Sequence, residues 1–123
     1  MTEAIGEQFV RALAAKDATA LKALLRPDID FKALTPGAFW EPPDADAIVD
    51  QTFFGKWFEP EDRITSVVEI STGSVGARDR VSYRLAVSNP DGDFLVEQQA
   101  YYETDGDQIS WLRIMCAGYQ PAS

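Results

Sequence analysis

Alternation of apolar and polar residues, interrupted by turn-forming residues, dominates the second half of the chain. From residue 81, Val, Tyr, Leu and Val alternate with Ser, Arg, Ala and Ser, which is typical of a strand with one buried face. Asn-Pro-Asp-Gly at residues 89–92 and Asp-Gly-Asp at residues 105–107 are strong turn signals. The pattern predicts a long antiparallel meander with strands at about residues 64–76, 81–88, 94–104 and 108–117.

The first half of the chain has helical spacing with one short strand. Apolar residues recur three and four apart up to Lys16, and Asp17 is placed to cap a second short helix that ends near Arg26. Residues 29–35 alternate as a strand, and a loop follows to residue 43. Residues 44–58 predict a third helix with a buried apolar stripe of Ile48, Val49, Phe53 and Trp57.

Length and composition favour one domain with a pocket-sized core. The chain has 123 residues, of which 46% are apolar, so a single domain is expected, with residues 118–123 as a tail. No apolar run approaches the roughly 18 residues of a membrane span, and the start is acidic and not signal-like. These features predict a cytoplasmic protein that does not bind membranes.

Charge and residue usage exclude several kinds of function. A net charge of −9 with scattered Lys and Arg does not favour binding of nucleic acid, so no nucleic-acid partner is expected. Histidine is absent, which excludes Ser-His and Cys-His dyads and histidine-ligated metals. The single cysteine, Cys116, lies in a strand pattern and is interpreted as an unreactive buried thiol. Asp44, Asp46 and Asp50 fit helix capping and a solvated face, so no metal and no cofactor are expected.

The order helix, short helix, strand, helix and curved meander resembles the nuclear transport factor 2-like fold, which includes SnoaL-like proteins and ketosteroid isomerase. Local patterns at residues 14–17, 34–37 and 105–113 match as well. The resemblance implies an α+β, cone-shaped fold, with N-terminal helices packed on a curved antiparallel sheet around an apolar pocket. It carries no particular activity, because the superfamily includes isomerases, hydrolases, cyclases and binders.

Compared with ketosteroid isomerase, the chain lacks the residues that the resemblance would make catalytic. The position of the general-base Asp is Thr35, that of the oxyanion-binding Tyr is Phe9, and that of the protonated Asp is Gln98, which keeps an amide donor. The carboxylate that an epoxide hydrolase needs near Ile114 is also missing. The resemblance therefore implies neither activity.

Strand alternation predicts which side chains line the pocket, and the last hairpin leaves two registers open. In the favoured register a three-residue loop sets Thr104 opposite Gln108, and Gln98 points inward; a two-residue Asp-Gly turn would exchange the faces of one strand. The favoured register also lets Glu97 or Gln99 reach Arg113. The predicted pocket residues are Phe9, Leu13, Phe31, Thr35, Trp40, Phe53, Trp57, Tyr83, Gln98, Tyr102, Leu112 and Ile114.

Two functions remain open from the sequence. The leading hypothesis is a SnoaL-like protein that binds a small hydrophobic ligand in the cone, with a cofactor-free isomerase, cyclase, hydratase or lyase as its enzymatic version. The alternative is a non-catalytic binding or assembly domain that works through its open sheet face. A homodimer is expected, because an apolar patch on that face would be exposed in a monomer; its residues are Tyr101, Trp111, Arg113 and Met115.

Overall fold

Three helices and six strands make up the computed structural model, which describes residues 4–122. The elements in chain order are α1 (Ile5–Ala14), α2 (Ala18–Leu24), β1 (Leu25–Thr35), β2 (Ala38–Trp40), α3 (Ala47–Trp57), β3 (Arg63–Val75), β4 (Arg78–Asn89), β5 (Gly92–Asp105) and β6 (Gln108–Pro121). None of the described helices is long and apolar enough to cross a membrane.

The six strands form one sheet in the order β2-β1-β6-β5-β4-β3. Neighbouring strands are antiparallel with one exception: β1 and β6 run parallel, with Phe31 opposite Leu112. The predicted meander is confirmed, and the α+β class with helices packed on the sheet is confirmed as well. The expectation of an antiparallel sheet is wrong for this pair, because β1 lies between its chain neighbour β2 and the last strand, β6, and runs parallel to β6.

The core lies between the helices and the inner face of the sheet. The ring of Phe9 on α1 meets Phe53 on α3 edge-on at 5.9 Å between centroids, and Tyr83 on β4 at 6.4 Å. Phe31 on β1 meets the same Phe53 ring at 5.9 Å. Edge-to-face pairs of this kind stabilise a core beyond the area that they bury. This aromatic cluster joins α1 and α3 to the sheet.

The helix ends agree with the sequence in part. The Asp17 carboxylate accepts a hydrogen bond from the Ala20 amide at 3.0 Å, as expected of the cap of α2. The predicted third helix is present and is wound as a π-helix: the Phe58 amide donates to the Phe53 carbonyl, five residues earlier. The apolar stripe of α3 is buried as predicted.

Two strand boundaries differ from the sequence expectation. β1 begins at Leu25, directly after α2, and not at residue 29, because Pro27 restricts the preceding residue to extended conformations. Residues 118–121, expected in a tail, belong to β6, where Tyr119 pairs with Val96. Residues 38–40, expected in a loop, form β2. β1 and β6 therefore extend further than the alternation indicated, and β2 is an additional strand.

The last hairpin combines a shorter turn than expected with a β-bulge. Asp105 lies opposite Gln108, so the expected pairing of Thr104 with Gln108 is wrong, and Gly106 has a positive φ of 67° in the turn. Ser110 is then skipped in the pairing, because Thr104 faces Ile109 while Glu103 faces Trp111. Relative to the expected register, the turn shifts the pairing of β5 with β6 by one residue, and the bulge shifts it by one more. Because two such shifts restore the original face of the strand, Gln98 points inward as expected.

Candidate functional site

A cavity of about 170 Å³ opens on the inner side of the sheet, next to the end of α3. Four of its lining side chains are aromatic, and the ring of Trp40 meets that of Trp57 edge-on at 6.3 Å. Binding sites for small molecules typically combine such apolar walls with a few polar groups. The lining residues are Thr35, Trp40, Lys56, Trp57, Phe58, Val96, Gln98, Cys116, Gly118 and Tyr119.

Gln98 supplies a polar group deep in this cavity. It is 1% exposed, and its Oε1 accepts a hydrogen bond of 2.5 Å from the hydroxyl of Tyr83, which is equally buried. Burial raises the pKa of Tyr83 well above the ordinary value, which keeps this donor protonated. Within residues 4–122, no acceptor reaches the Nε2 of Gln98. Its amide N–H groups are therefore buried donors without a partner, which is uncommon in folded proteins.

Trp57 supplies a second donor of the same kind. Its side chain is 8% exposed, and no described residue accepts a hydrogen bond from its indole Nε1. The neighbouring Trp40 differs, because its Nε1 donates to the Thr35 hydroxyl at 2.8 Å. The backbone carbonyl of Trp57 accepts from the Tyr119 hydroxyl at 2.8 Å, which fixes this end of α3 against β6. Two uncharged N–H donors thus remain unpaired at one cavity.

The charge at the cavity is small. Lys56 lines it from an exposed position, and none of the lining residues is Asp or Glu in the part of the chain that the structure describes. The Cys116 thiol accepts from the Gly118 amide at 3.3 Å. Burial, reinforced by the negative charge of Asp62, raises the pKa of Tyr119, so its hydroxyl acts as a donor at neutral pH. The cavity therefore offers hydrogen-bond donors in an apolar surrounding.

The structure distributes the twelve predicted pocket residues over two places. Thr35, Trp40, Trp57 and Gln98 line the cavity. The other eight are buried in the packed core around it: Phe9, Leu13, Phe31, Phe53, Tyr83, Tyr102, Leu112 and Ile114. Tyr102 is held there by a backbone contact, because its hydroxyl accepts from the Gly6 amide at 3.0 Å. Ligand contact by any of the twelve stays a prediction.

Six cavity residues were missing from the sequence prediction: Lys56, Phe58, Val96, Cys116, Gly118 and Tyr119. Strand alternation already placed Val96 and Cys116 on the face of Gln98, and this signal could have found them. Gly118 and Tyr119 were missed because the end of β6 was assigned to a tail. The backbone at Gly118 has a positive φ of 84°, which interrupts the simple alternation of the strand.

A larger groove of about 610 Å³ lies on the outer face of the sheet. Three apolar side chains at this groove are strongly exposed: Met115 at 62%, Phe39 at 58% and Leu34 at 46%. Polar side chains border them, and Cys116 reaches this groove as well as the inner cavity. The groove is lined by Lys32, Ala33, Leu34, Phe39, Glu97, Gln99, Tyr101, Arg113, Ile114, Met115, Cys116 and Ala117.

Charged side chains on the outer face pair within the chain. The guanidinium groups of Arg78 and Arg113 lie over the Trp111 ring, 4.0 and 4.4 Å from its centroid. Arg113 also pairs with Asp30 at 3.0 Å, and Glu97 pairs with Arg84 at 2.7 Å. The expected contact of Glu97 or Gln99 with Arg113 is therefore wrong, because the parallel strand β1 brings Asp30 closer. Trp111 is half-buried under the two guanidinium groups, whereas Met115 stays open.

The acidic residues at the start of α3 have structural partners. The Asp44 carboxylate accepts from the Ala47 amide at 2.8 Å, and Lys22 pairs with Asp50 at 2.7 Å and with Asp46 at 3.5 Å. The hydrogen bond to Asp50 raises the pKa of Lys22. No group of three or more Cys, Asp or Glu side chains in residues 4–122 is arranged to hold a metal ion. The expected lack of a metal stays a prediction.

Comparison with known proteins identifies the fold. No family model matches the chain, and no curated protein matches it either. The chain is similar in structure to a "putative isomerase" from Rhodopseudomonas palustris, with a TM-score of 0.72 at 16% identity over 94% of this chain and 91% of that one. It is similar to an LEH-like epoxide hydrolase from M. tuberculosis, with a TM-score of 0.64 at 17% identity over 91% and 79% of the two chains.

A third similar structure is a "putative polyketide cyclase" from Xanthomonas campestris, with a TM-score of 0.67 at 15% identity over 90% of this chain and 86% of that one. Chains with this architecture are described as having the nuclear transport factor 2-like or ketosteroid isomerase-like fold. The resemblance that the sequence suggested is therefore confirmed for the fold. Proteins that share a fold at such low identity differ in activity.

Proposed function

We propose that this chain binds a small, largely apolar molecule in the inner cavity, with an acceptor oxygen of that molecule facing Gln98 and Trp57. One observation carries the proposal: both residues line the same cavity, and the side-chain N–H groups of both are buried without an acceptor in the described chain. A buried donor without a partner costs roughly 1–3 kcal/mol. A ligand oxygen that accepts from these groups removes that cost.

The proposal is for binding and not for a defined reaction. The similar structures are named as a "putative isomerase", an LEH-like epoxide hydrolase and a "putative polyketide cyclase", so the names attached to this fold include several enzymatic ones. The positions matched to catalytic carboxylates are Thr35 and Gln98 here, and Thr35 accepts a hydrogen bond from Trp40. Any enzymatic version, as isomerase, cyclase, hydratase or lyase, would therefore rely on uncharged donors and Lys56 and not on a carboxylate at these two positions.

Tryptophan fluorescence tests the proposal, because two of the three tryptophans of the chain line the cavity. Small aromatic compounds that enter should quench the emission with saturable curves. Val96→Phe fills the cavity and should abolish saturation, whereas Val68→Phe, at a strand position that is 52% exposed, should not. Saturable quenching that survives Val96→Phe would show that the compounds bind elsewhere.

A second candidate function is assembly through the outer groove. The exposure of Leu34, Phe39 and Met115 on one sheet face favours it, because soluble proteins rarely leave such apolar patches uncovered. The occupant proposed here is a second copy of this chain, which gives a homodimer with the sheets face to face. The two functions are compatible, since the cavity and the groove lie on opposite faces of the sheet.

A further inference from the structure

The inner cavity limits the size of its occupant. Its volume is about 170 Å³. A protein cavity of roughly 150 Å³ holds benzene, whereas drug-sized ligands occupy pockets of roughly 300–1,000 Å³. One six-membered ring with a small substituent therefore fills the space. The aromatic walls, which include Trp40, Trp57 and Tyr119, suit the faces and edges of such a ring.

The charges around the cavity select against an ionised ligand. The two unpaired donors, the Gln98 amide and the Trp57 indole, are both neutral. The cationic lining residue, Lys56, is exposed, so its charge is already solvated. A carboxylate that entered would lose its hydration without gaining a buried countercharge, and this is strongly unfavourable. The net charge of −9 opposes an anion further.

A carbonyl group is both uncharged and able to accept from the two unpaired donors. Its oxygen is uncharged and has two lone pairs, so one atom can accept from two N–H donors. Resting on the proposed function, we infer that the occupant is an uncharged single-ring carbonyl compound: its ring lies against the aromatic wall, and its oxygen accepts from Gln98 Nε2 and Trp57 Nε1. A fused-ring ligand and an aromatic carboxylate are both disfavoured.

Three single-ring probes of similar shape separate a neutral carbonyl ligand from a purely apolar ligand and from a carboxylate. They are acetophenone, ethylbenzene and benzoate. Each is titrated into the full-length protein at neutral pH and followed by the indole and side-chain amide resonances in nitrogen–proton correlation spectra. Trp57→Phe identifies the indole signal of Trp57. Acetophenone should bind about 5- to 30-fold more tightly than ethylbenzene, on the scale of satisfied buried hydrogen bonds. Benzoate should bind more weakly than acetophenone, and the Trp57 indole proton should move downfield with acetophenone alone.

Two variants test the donors separately. Gln98→Leu and Trp57→Phe each remove one donor and keep an apolar side chain in place, so each should lower the affinity for acetophenone and spare that for ethylbenzene. Gln51→Leu is the matched control, because Gln51 is an exposed glutamine on α3 that lines neither the cavity nor the outer groove. It should leave the ratio of the two affinities unchanged.

The possible outcomes separate the inference of a carbonyl ligand from the proposed function, which is binding of a small molecule in the inner cavity. Equal affinities for acetophenone and ethylbenzene would overturn the carbonyl inference and would indicate that the donors hold only water. If benzoate bound most tightly of the three probes, the prediction that the ligand is uncharged would be wrong. In both cases binding in the cavity would stand. If none of the three probes shifts the Trp57 and Gln98 resonances, the proposed function fails together with the inference.

Discussion

Gln98 and Gln99 are neighbours in sequence with opposite surroundings. Gln98 is buried and bonded to Tyr83, whereas Gln99 is exposed and donates to the Tyr101 hydroxyl at 2.9 Å. Strand alternation predicted opposite directions for the two, because successive side chains of a strand point to opposite faces, and the favoured hairpin register predicted that Gln98 points inward. The missing acceptor at Gln98 Nε2 was beyond the sequence, since it depends on what α3 and β6 place around the amide.

A thermodynamic cycle on Tyr83 and Gln98 tests their hydrogen bond. Gln98→Leu leaves the buried Tyr83 hydroxyl without its acceptor and should lower the free energy of unfolding by about 1–3 kcal/mol. The double variant Tyr83→Phe, Gln98→Leu should lose less free energy of unfolding than the sum of the losses in the two single variants. The reason is that neither side chain of the pair is then left as an unpaired polar group. Urea unfolding measures all three, with Gln99→Leu as the control. Strict additivity would mean that the two side chains do not interact.

At the scale of elements, patterns that one strand carries by itself were predictable, and those that depend on a partner were not. The meander strands and their turns followed from alternation and from Asn, Asp and Gly signals. The parallel pairing of β1 with β6 was not readable, because the two strands are far apart in sequence. The π-winding of α3 left no mark in the sequence either, since the same apolar stripe fits an α-helix.

The end of β6 provides a test of a special backbone position. Gly118 has a φ of 84°, and a Cβ there would approach the Pro36 ring to 2.9 Å. Gly118→Ala should lower the free energy of unfolding by more than the roughly 1–2 kcal/mol that a left-handed conformation costs a residue with a side chain.

Gly76→Ala is the matched control for this substitution. Gly76 also has a positive φ, of 59°, but open space surrounds it, so only the conformational cost applies. Chemical denaturation of both variants measures the difference. Equal destabilisation would contradict a close contact between β6 and the β1–β2 turn.

At the scale of the whole molecule, the sheet separates two hollows of different size. The inner one lies beside the end of α3 and carries unpaired donors, and the outer one is larger and bordered by exposed apolar side chains. Composition and alternation predicted an apolar pocket and an apolar outer face. The sizes of the two depend on how the elements pack, which the sequence does not state. Eight of the expected pocket residues lie in packed core, where aromatic rings of α1, α3, β1 and β4 fill the space between the helices and the sheet.

Dimerisation through the outer groove is tested by changing its most exposed apolar side chain. Met115→Asp adds a charge in the proposed interface and should shift the protein from dimer to monomer. Val68→Asp, at another exposed position outside the groove, should leave the dimer intact. Light scattering after size exclusion at high micromolar protein gives the mass. A monomeric mass of the unchanged protein would rule out this assembly.

Alkaline pH should destabilise the whole domain. Burial raises the pKa of Tyr83, Tyr102 and Tyr119 above the ordinary value of 10.0. The unfolded chain therefore loses protons near pH 10 that the folded chain retains. Stability from this source is fully present below about pH 10 and falls above it, by about 1.4 kcal/mol per pH unit for the fully buried Tyr83 and by less for the two partly buried tyrosines.

Urea unfolding midpoints between pH 8 and pH 11 measure this effect. Tyr83→Phe removes one of the three groups and should flatten the decline above pH 10. A free energy of unfolding that stays constant up to pH 11 would mean that these hydroxyls ionise as readily in the folded chain as in the unfolded one.

The bulge at Ser110 has a consequence for insertions and deletions. Every pair on either side of it, from Thr104 with Ile109 to Tyr102 with Leu112, is formed without Ser110. A version of the chain that lacks this one residue would have a regular hairpin with all its neighbours still facing the same way. Removal of Ile109 would also give a regular hairpin, but Ser110 would then take the buried position that Ile109 fills. In an alignment of homologues, a one-residue gap is therefore expected at position 110 and not beside it.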